Sequence, residues 1–227
     1  MRIGVVITAA GSGERLGARV PKALVTVGGR TLVAHALSAA LSVADDIVVT
    51  APADHMDAFS AVVGSSHEPT ISVVPGGATR QDSVRAGVAA LGGVDVILVH
   101  DAARAFAPAE LFRDVVAALE DGRGAVIPAL PVIDTIKRAD SSLRVAGTVE
   151  RSQLWAVQTP QGFRRDLLVR AHAAGAGGSA TDDAALVEAL GEPVQLIPGH
   201  EDAFKVTTPR DLVVAESLLQ GRRDSDD

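Results

Sequence analysis

No cysteine occurs in the 227-residue sequence, which excludes disulfides, thiolate-held zinc, iron–sulfur clusters and cysteine nucleophiles. Tyrosine is absent too. One tryptophan and five phenylalanines are too few for the stacking platforms that bind single-stranded nucleic acid. A net charge of −7, with no long run of Lys or Arg, argues against the basic face of a general nucleic-acid binder. No apolar run approaches the roughly 20 residues that span a membrane. Met1 and Arg2 ahead of the apolar residues 3–8 are too short a start for a secretory signal. The expectation is a cytoplasmic protein with neither nucleic acid nor membrane as partner.

What is present in quantity is apolar side chain, 47% of the residues, ample for one large core. Runs rich in β-branched residues at 3–8, 47–50, 71–74, 94–99 and 125–130 predict strands. They are apolar nearly throughout, as in strands covered on both faces. Helical patterns lie between them. Thr31 can cap a helix reaching residue 42, Asp54 can start a second, Thr79 can cap a third, and Pro108 can open a fourth. The rhythm breaks after Pro131. Residues 132–150, with the turn-like Asp140-Ser141-Ser142, predict a β-arm. A β-segment at 154–157, helices at 165–174 and 181–190, a strand at 194–197 and a last helix at 209–219 follow. The predicted fold is α/β: one domain over 1–220, a Rossmann-like, mostly parallel sheet flanked by helices, with the 132–150 arm projecting and a charged, disordered tail at 221–227.

The chemistry concentrates at strand ends. Ala9-Ala10-Gly11-Ser12-Gly13-Glu14-Arg15-Leu16-Gly17, then Val20-Pro21-Lys22, directly follows the first strand. Ligands of open α/β sheets bind there. Glycines let backbone N–H groups approach phosphate oxygens, and Arg15 and Lys22 add positive charge. The bland reading is a tight turn with surface cations. It is not a P-loop, because Pro21 precedes Lys22. Nor is it a dinucleotide fingerprint, because Leu16 stands at the third glycine position. Gly76-Gly77-Ala78-Thr79-Arg80-Gln81-Asp82-Ser83 follows the third strand; alone it is as well read as a loop and helix cap. Val99-His100-Asp101-Ala102-Ala103-Arg104 delivers a carboxylate at a strand end, where it can hold Mg²⁺ on nucleotide phosphates or simply cap a turn. His100 has no partner at metal-ligand spacing and reads as structural. Arg151 and Lys205 are, singly, ordinary surface cations.

Together these blocks resemble the 2-C-methyl-D-erythritol 4-phosphate cytidylyltransferases. The glycine loop is shared with wider sugar-nucleotide pyrophosphorylases. The blocks at 100–104, 134–135, 148–151, 159–161, 181–183 and 205–207 narrow the likeness to this family. The resemblance implies CMP transfer from CTP to the phosphate of a small phosphorylated polyol, with Mg²⁺ as cofactor. It implies Arg15 and Lys22 at the α-phosphate. Ala10, Gly11, Gly13, Gly76, Arg80 and Ser83 would contact the nucleotide, and Asp101, Thr135 and Thr181 the acceptor. Arg151 and Lys205 would position the acceptor, in a homodimer whose 132–150 arm brings Arg151 to the partner's site. Two departures stand out: Ala105 where many relatives have Pro, and Ala78 where many have an acid. A ribitol 5-phosphate cytidylyltransferase, a uridylyl- or guanylyltransferase and a non-catalytic nucleotide-binding module stay open as alternatives.

Overall fold

The structure, a computed structural model, describes residues 1–11, 13, 16, 20–64, 69–175 and 180–226. In chain order it forms β1 (Ile3–Thr8), the short hairpin β2 (Thr26–Val27) and β3 (Arg30–Thr31), α1 (Leu32–Ala40), β4 (Asp46–Ala51), α2 (Met56–Val63), β5 (Thr70–Pro75), α3 (Arg80–Ala90), β6 (Val96–Asp101), α4 (Ala109–Glu120) and β7 (Ala125–Pro131). Then come β8 (Lys137–Ala139), β9 (Val145–Thr148), β10 (Trp155–Val157), β11 (Gln161–Arg164), α5 (Arg165–Ala174), α6 (Asp183–Ala189), β12 (Gln195–Pro198) and α7 (Pro209–Asp226).

The main sheet runs β10-β7-β11-β6-β1-β4-β5, with β12 also on β7. The β6-β1-β4-β5 half is parallel. Alternation along each strand explains why these strands are apolar throughout. Val5, Ile7, Ile47, Val49 and Leu98 pack on one face with Leu37, Phe59 and Phe112 from α1, α2 and α4. Val6, Val48, Ile97 and Val99 pack on the other with Val84, Val88, Leu168 and Val187 from α3, α5 and α6. Truncating one of the large members, such as the fully buried Phe112, would cost about 3–5 kcal/mol.

The helix starts follow from side-chain capping. Thr31 accepts from the Ala34 N–H. Thr79 and Asp82 form a capping box on α3. α2 begins at Met56 because a single 3₁₀ turn, Ala53–His55, takes up the residues from Asp54. α6 is capped by Asp182 and begins two residues after the expected start.

Two further differences matter. β11 has no counterpart in the sequence reading: Gln-Gly-Phe-Arg is short and lacks a β-branched run. It inserts antiparallel between β6 and β7, so those two strands do not pair directly. α7 continues past residue 219 to Asp226, through residues expected to form a tail. Arg222 helps hold this extension, donating to the Phe106 carbonyl and pairing with Asp202 at 2.8 Å. In the 132–150 segment, β8 and β9 pair antiparallel as a separate two-stranded sheet. Asp140 Oδ1 closes the turn by accepting from the N–H groups of Ser142 and Arg144. Among the described residues no helix is long and apolar enough to cross a membrane.

Candidate active site

β1 and β6 end side by side, with Thr8 registered on Asp101. β4 and β5 end next to them at Ala51 and Pro75. The segments leaving these strands enclose a cavity of about 480 Å³. Of the residues singled out in the sequence, Ala10, Gly11 and Lys22 reach it from the first loop, Arg80 and Ser83 from the start of α3, Asp101 from the end of β6, and Lys205 from the segment before α7.

Two glycines work by close approach. Gly13 has φ of +67°, and a Cβ on it would lie 2.4 Å from the Cβ of Lys22. Gly13 therefore seats directly on the root of that lysine. A Cβ on Gly76 would lie 2.5 Å from the Ala10 Cβ and 2.9 Å from the Ser83 Oγ. This is where the two glycine loops touch. Ser83 Oγ accepts from the Gly77 N–H at 3.1 Å and donates to the Thr79 carbonyl at 3.0 Å, fixing the second loop onto α3.

The floor is an ion network centred on Asp101, which is only 7% exposed. Its Oδ1 accepts from Arg80 Nε at 3.0 Å and Thr8 Oγ1 at 3.2 Å, and its Oδ2 accepts from Lys205 Nζ at 2.7 Å. Burial by itself would raise the pKa. The charges of Arg80 and Lys205 outweigh it and hold the carboxyl well below the usual carboxylate range. Arg80 reaches a second buried carboxylate, Asp183, at 2.7 Å. Burial works against the guanidinium, but Asp183 and Asp101 together raise its pKa.

Neighbouring groups hold this floor in place. The Asp101 N–H donates to Thr159 Oγ1 at 3.0 Å, and that hydroxyl also meets His100 Nδ1 at 3.0 Å. Burial pushes His100 down to about 4, so near neutrality it is an uncharged ring, 4.8 Å from the Phe112 ring. Arg104 donates to the carbonyls of Ala203 and Val157 at 2.8 and 3.0 Å. It thereby ties the end of β6 to β10 and to the segment carrying Lys205.

Five of the expected residues are not among those lining this cavity: Gly13, Gly76, Thr135, Arg151 and Thr181. Thr135, Arg151 and Thr181 are exposed. Arg151 donates to the Ile133 carbonyl at the base of the arm. Arg15 lies outside the described residues. Sequence reasoning passed over Thr8, His172 and Asp183 as site residues. The signal available was the 181–183 block for Asp183 and the strand end for Thr8; His172, on an apolar helix face, carried none.

The donor set bears on a metal. Among the described residues no group of three His, Cys, Asp or Glu side chains could hold a resident ion. A carboxylate offers about four lone-pair positions, and Thr8, Arg80 and Lys205 occupy three on Asp101. One carboxylate with room for one more contact fits Mg²⁺ that arrives on a triphosphate, since such ions take one or two carboxylates plus phosphate oxygens and water.

Glycine loops, a buried carboxylate and converging cations at the carboxyl edge of a parallel sheet define a nucleotidyltransferase-type site. Comparison with known proteins narrows the class. The family model described as IspD: 2-C-methyl-D-erythritol 4-phosphate cytidylyltransferase matches residues 3–221. The 2-C-methyl-D-erythritol 4-phosphate cytidylyltransferase of Saccharopolyspora erythraea is 50% identical over 225 residues, covering 96% of this chain and 100% of its own. The bifunctional enzyme IspD/IspF of Clavibacter michiganensis is 54% identical over 96% of this chain, which spans 54% of that longer protein. The crystal structure of the enzyme of the same name from Thermus thermophilus superposes with a TM-score of 0.80 at 39% identity, covering 97% of this chain and 100% of that one. The chain belongs to the 2-C-methyl-D-erythritol 4-phosphate cytidylyltransferase family.

Proposed function

We propose that this chain transfers the cytidylyl group of CTP to 2-C-methyl-D-erythritol 4-phosphate, releasing pyrophosphate, in isoprenoid precursor synthesis. The observation that carries this reading is the convergence of Lys22, Arg80 and Lys205 on one cavity at the ends of β1, α3's loop and β6, in a chain of this family.

The acceptor phosphate is the nucleophile. With a second pKa of about 6 it is largely a dianion at neutral pH, so no general base is needed. One of its oxygens bonds to the α-phosphorus of CTP, and the bond from that phosphorus to the bridging oxygen of pyrophosphate breaks. The barrier is the approach of an anion to an anionic triphosphate, which in-line positioning and fixed positive charge lower. Lys22 and Arg15 take the α-phosphate, Arg15 by the bidentate hold that a guanidinium allows. Ala10, Gly11, Gly13, Gly76, Arg80 and Ser83 hold the nucleotide. Lys205 and Arg151 align the acceptor phosphate, with Asp101, Thr135 and Thr181 around the polyol. Bound with the nucleotide, Mg²⁺ supplies charge neutralisation at the phosphates, and Asp101 is the protein carboxylate in reach.

Arg151 and Thr135 reach a site through a homodimer in which the 132–150 arm crosses to the partner. Ile133, Leu143 and Val145, respectively 78%, 88% and 65% exposed, support a covered arm.

The test is pyrophosphate release from Mg²⁺, CTP and 2-C-methyl-D-erythritol 4-phosphate, with ribitol 5-phosphate, UTP and GTP as parallel arms. Fast release from the first combination alone is expected. Release only from another combination overturns the substrates, and binding of CTP without any release overturns catalysis.

A further inference from the structure

Behind the cavity floor the ion network ends in a carboxylate that the reaction above does not call on. Asp183, 1% exposed, opens α6. Its Oδ2 accepts from Arg80 Nη1 at 2.7 Å, and its Oδ1 meets His172 Nε2 at 2.9 Å. An ionised carboxylate only accepts, so His172 carries its proton on Nε2. His172 comes from α5 and is itself buried, so Asp183 is gripped from two helices.

The consequence falls on Arg80. A guanidinium is planar and rigid, and two of its nitrogens are committed, Nε to Asp101 and Nη1 to Asp183. Two anchors fix the plane in which its remaining edge meets the cavity. One anchor alone leaves rotation about the Arg80–Asp101 contact, with four side-chain torsions free to follow. Lys205 shows that looser case: its side chain is 40% exposed and, among the described residues, it pairs with one carboxylate, Asp101.

We propose that Asp183, oriented by His172, is a positioning residue that fixes Arg80 for the nucleotide. The proposal rests on the reading of this site as a CTP site, and not on the transfer reaction.

The test reads CTP affinity by calorimetry, in the presence of Mg²⁺, beside initial rates with each substrate varied. Asp183→Asn keeps the shape and removes the charge. It is expected to weaken CTP binding about tenfold, in line with the loss of a charge-assisted contact, and to leave the acceptor KM within about twofold. In an Arg80→Gln background the same substitution is expected to add less than about twofold, because its route is gone. Equal loss in both backgrounds, or unchanged CTP affinity, overturns the proposal. If Asp183→Asn does not fold, the pair His172→Gln and His172→Leu decides. Only the first keeps a donor for Asp183, so recovered CTP affinity in Gln but not Leu supports the proposal, and equal affinity in both overturns it. A wild-type protein that binds CTP but releases no pyrophosphate overturns the enzymatic reading and leaves this test in force. A wild type that binds no CTP overturns both.

Discussion

At the cavity floor Asp101 is 7% exposed and its partners come from β1, α3 and the segment before α7, up to 104 positions away in the chain. In the 132–150 segment Leu143 is 88% exposed, and the hairpin is held by its own ladder and by Asp140. The floor is over-determined: each group there answers to several elements at once, so one change moves many. The hairpin has local geometry and little else, so a change in it matters only where something else meets it.

The largest expected effect on activity is at the rim of the floor. Lys22→Ala should lower turnover by about a hundredfold or more, or about 2.7 kcal/mol of transition-state stabilisation, like the loss of an oxyanion donor. Steady-state pyrophosphate release checks it, and near wild-type turnover sinks the role given to Lys22.

Next comes acid. The folded pKa of His100, about 4, lies below its ordinary 6.5, so between those values the unfolded chain binds more protons than the folded one. Stability is therefore full above 6.5 and falls as pH drops toward 4, by about 3 kcal/mol for this group. Asp101, also depressed, adds a further loss below 3.8. Urea midpoints between pH 7 and pH 4.5 should decline, and His100→Asn should flatten that slope. An unchanged slope in the variant would show that the burial of His100 is not the cause.

Arg151→Ala tests the arm. It should raise the acceptor KM by about tenfold or more, the scale of a charge-assisted contact, while CTP affinity stays intact. Loss of CTP binding without an acceptor effect would refute its placement.

The smallest effect comes from the second of a pair of glycines. Gly76→Ala forces a Cβ against Ala10 and Ser83 and should cost about 1–3 kcal/mol of stability. Gly147→Ala, with nothing within 4 Å, should change it by about 0.5 kcal/mol or less. Thermal melts of the two proteins side by side would erase the contrast between floor and hairpin if both shifted equally.

The parallel half was legible in the sequence because its information is local and repeated. Ile3–Thr8 forms a strand with the expected bounds, and Thr79 caps its helix, since β-branched runs and capping side chains act within a few residues. β11 was not legible: its place is set by the gap between β6 and β7, not by its own propensity. The far end of α7 was missed for a similar reason, as Arg222 finds its partners near residues 106 and 202.

The same division holds in the site. The sequence by itself determined which chemical groups are available: the glycine loops, Lys22, the carboxylate ending β6, and Lys205. It also determined the family to which their order and spacing belong. Only the tertiary structure decided that Asp101 is flanked by Arg80 and Lys205, that Gly13 seats on Lys22 and Gly76 on Ala10, and that Asp183 and His172 join the network at all. Those relations depend on strand order, register and helix packing, which bring together residues far apart in the chain and therefore leave no short-range pattern to read.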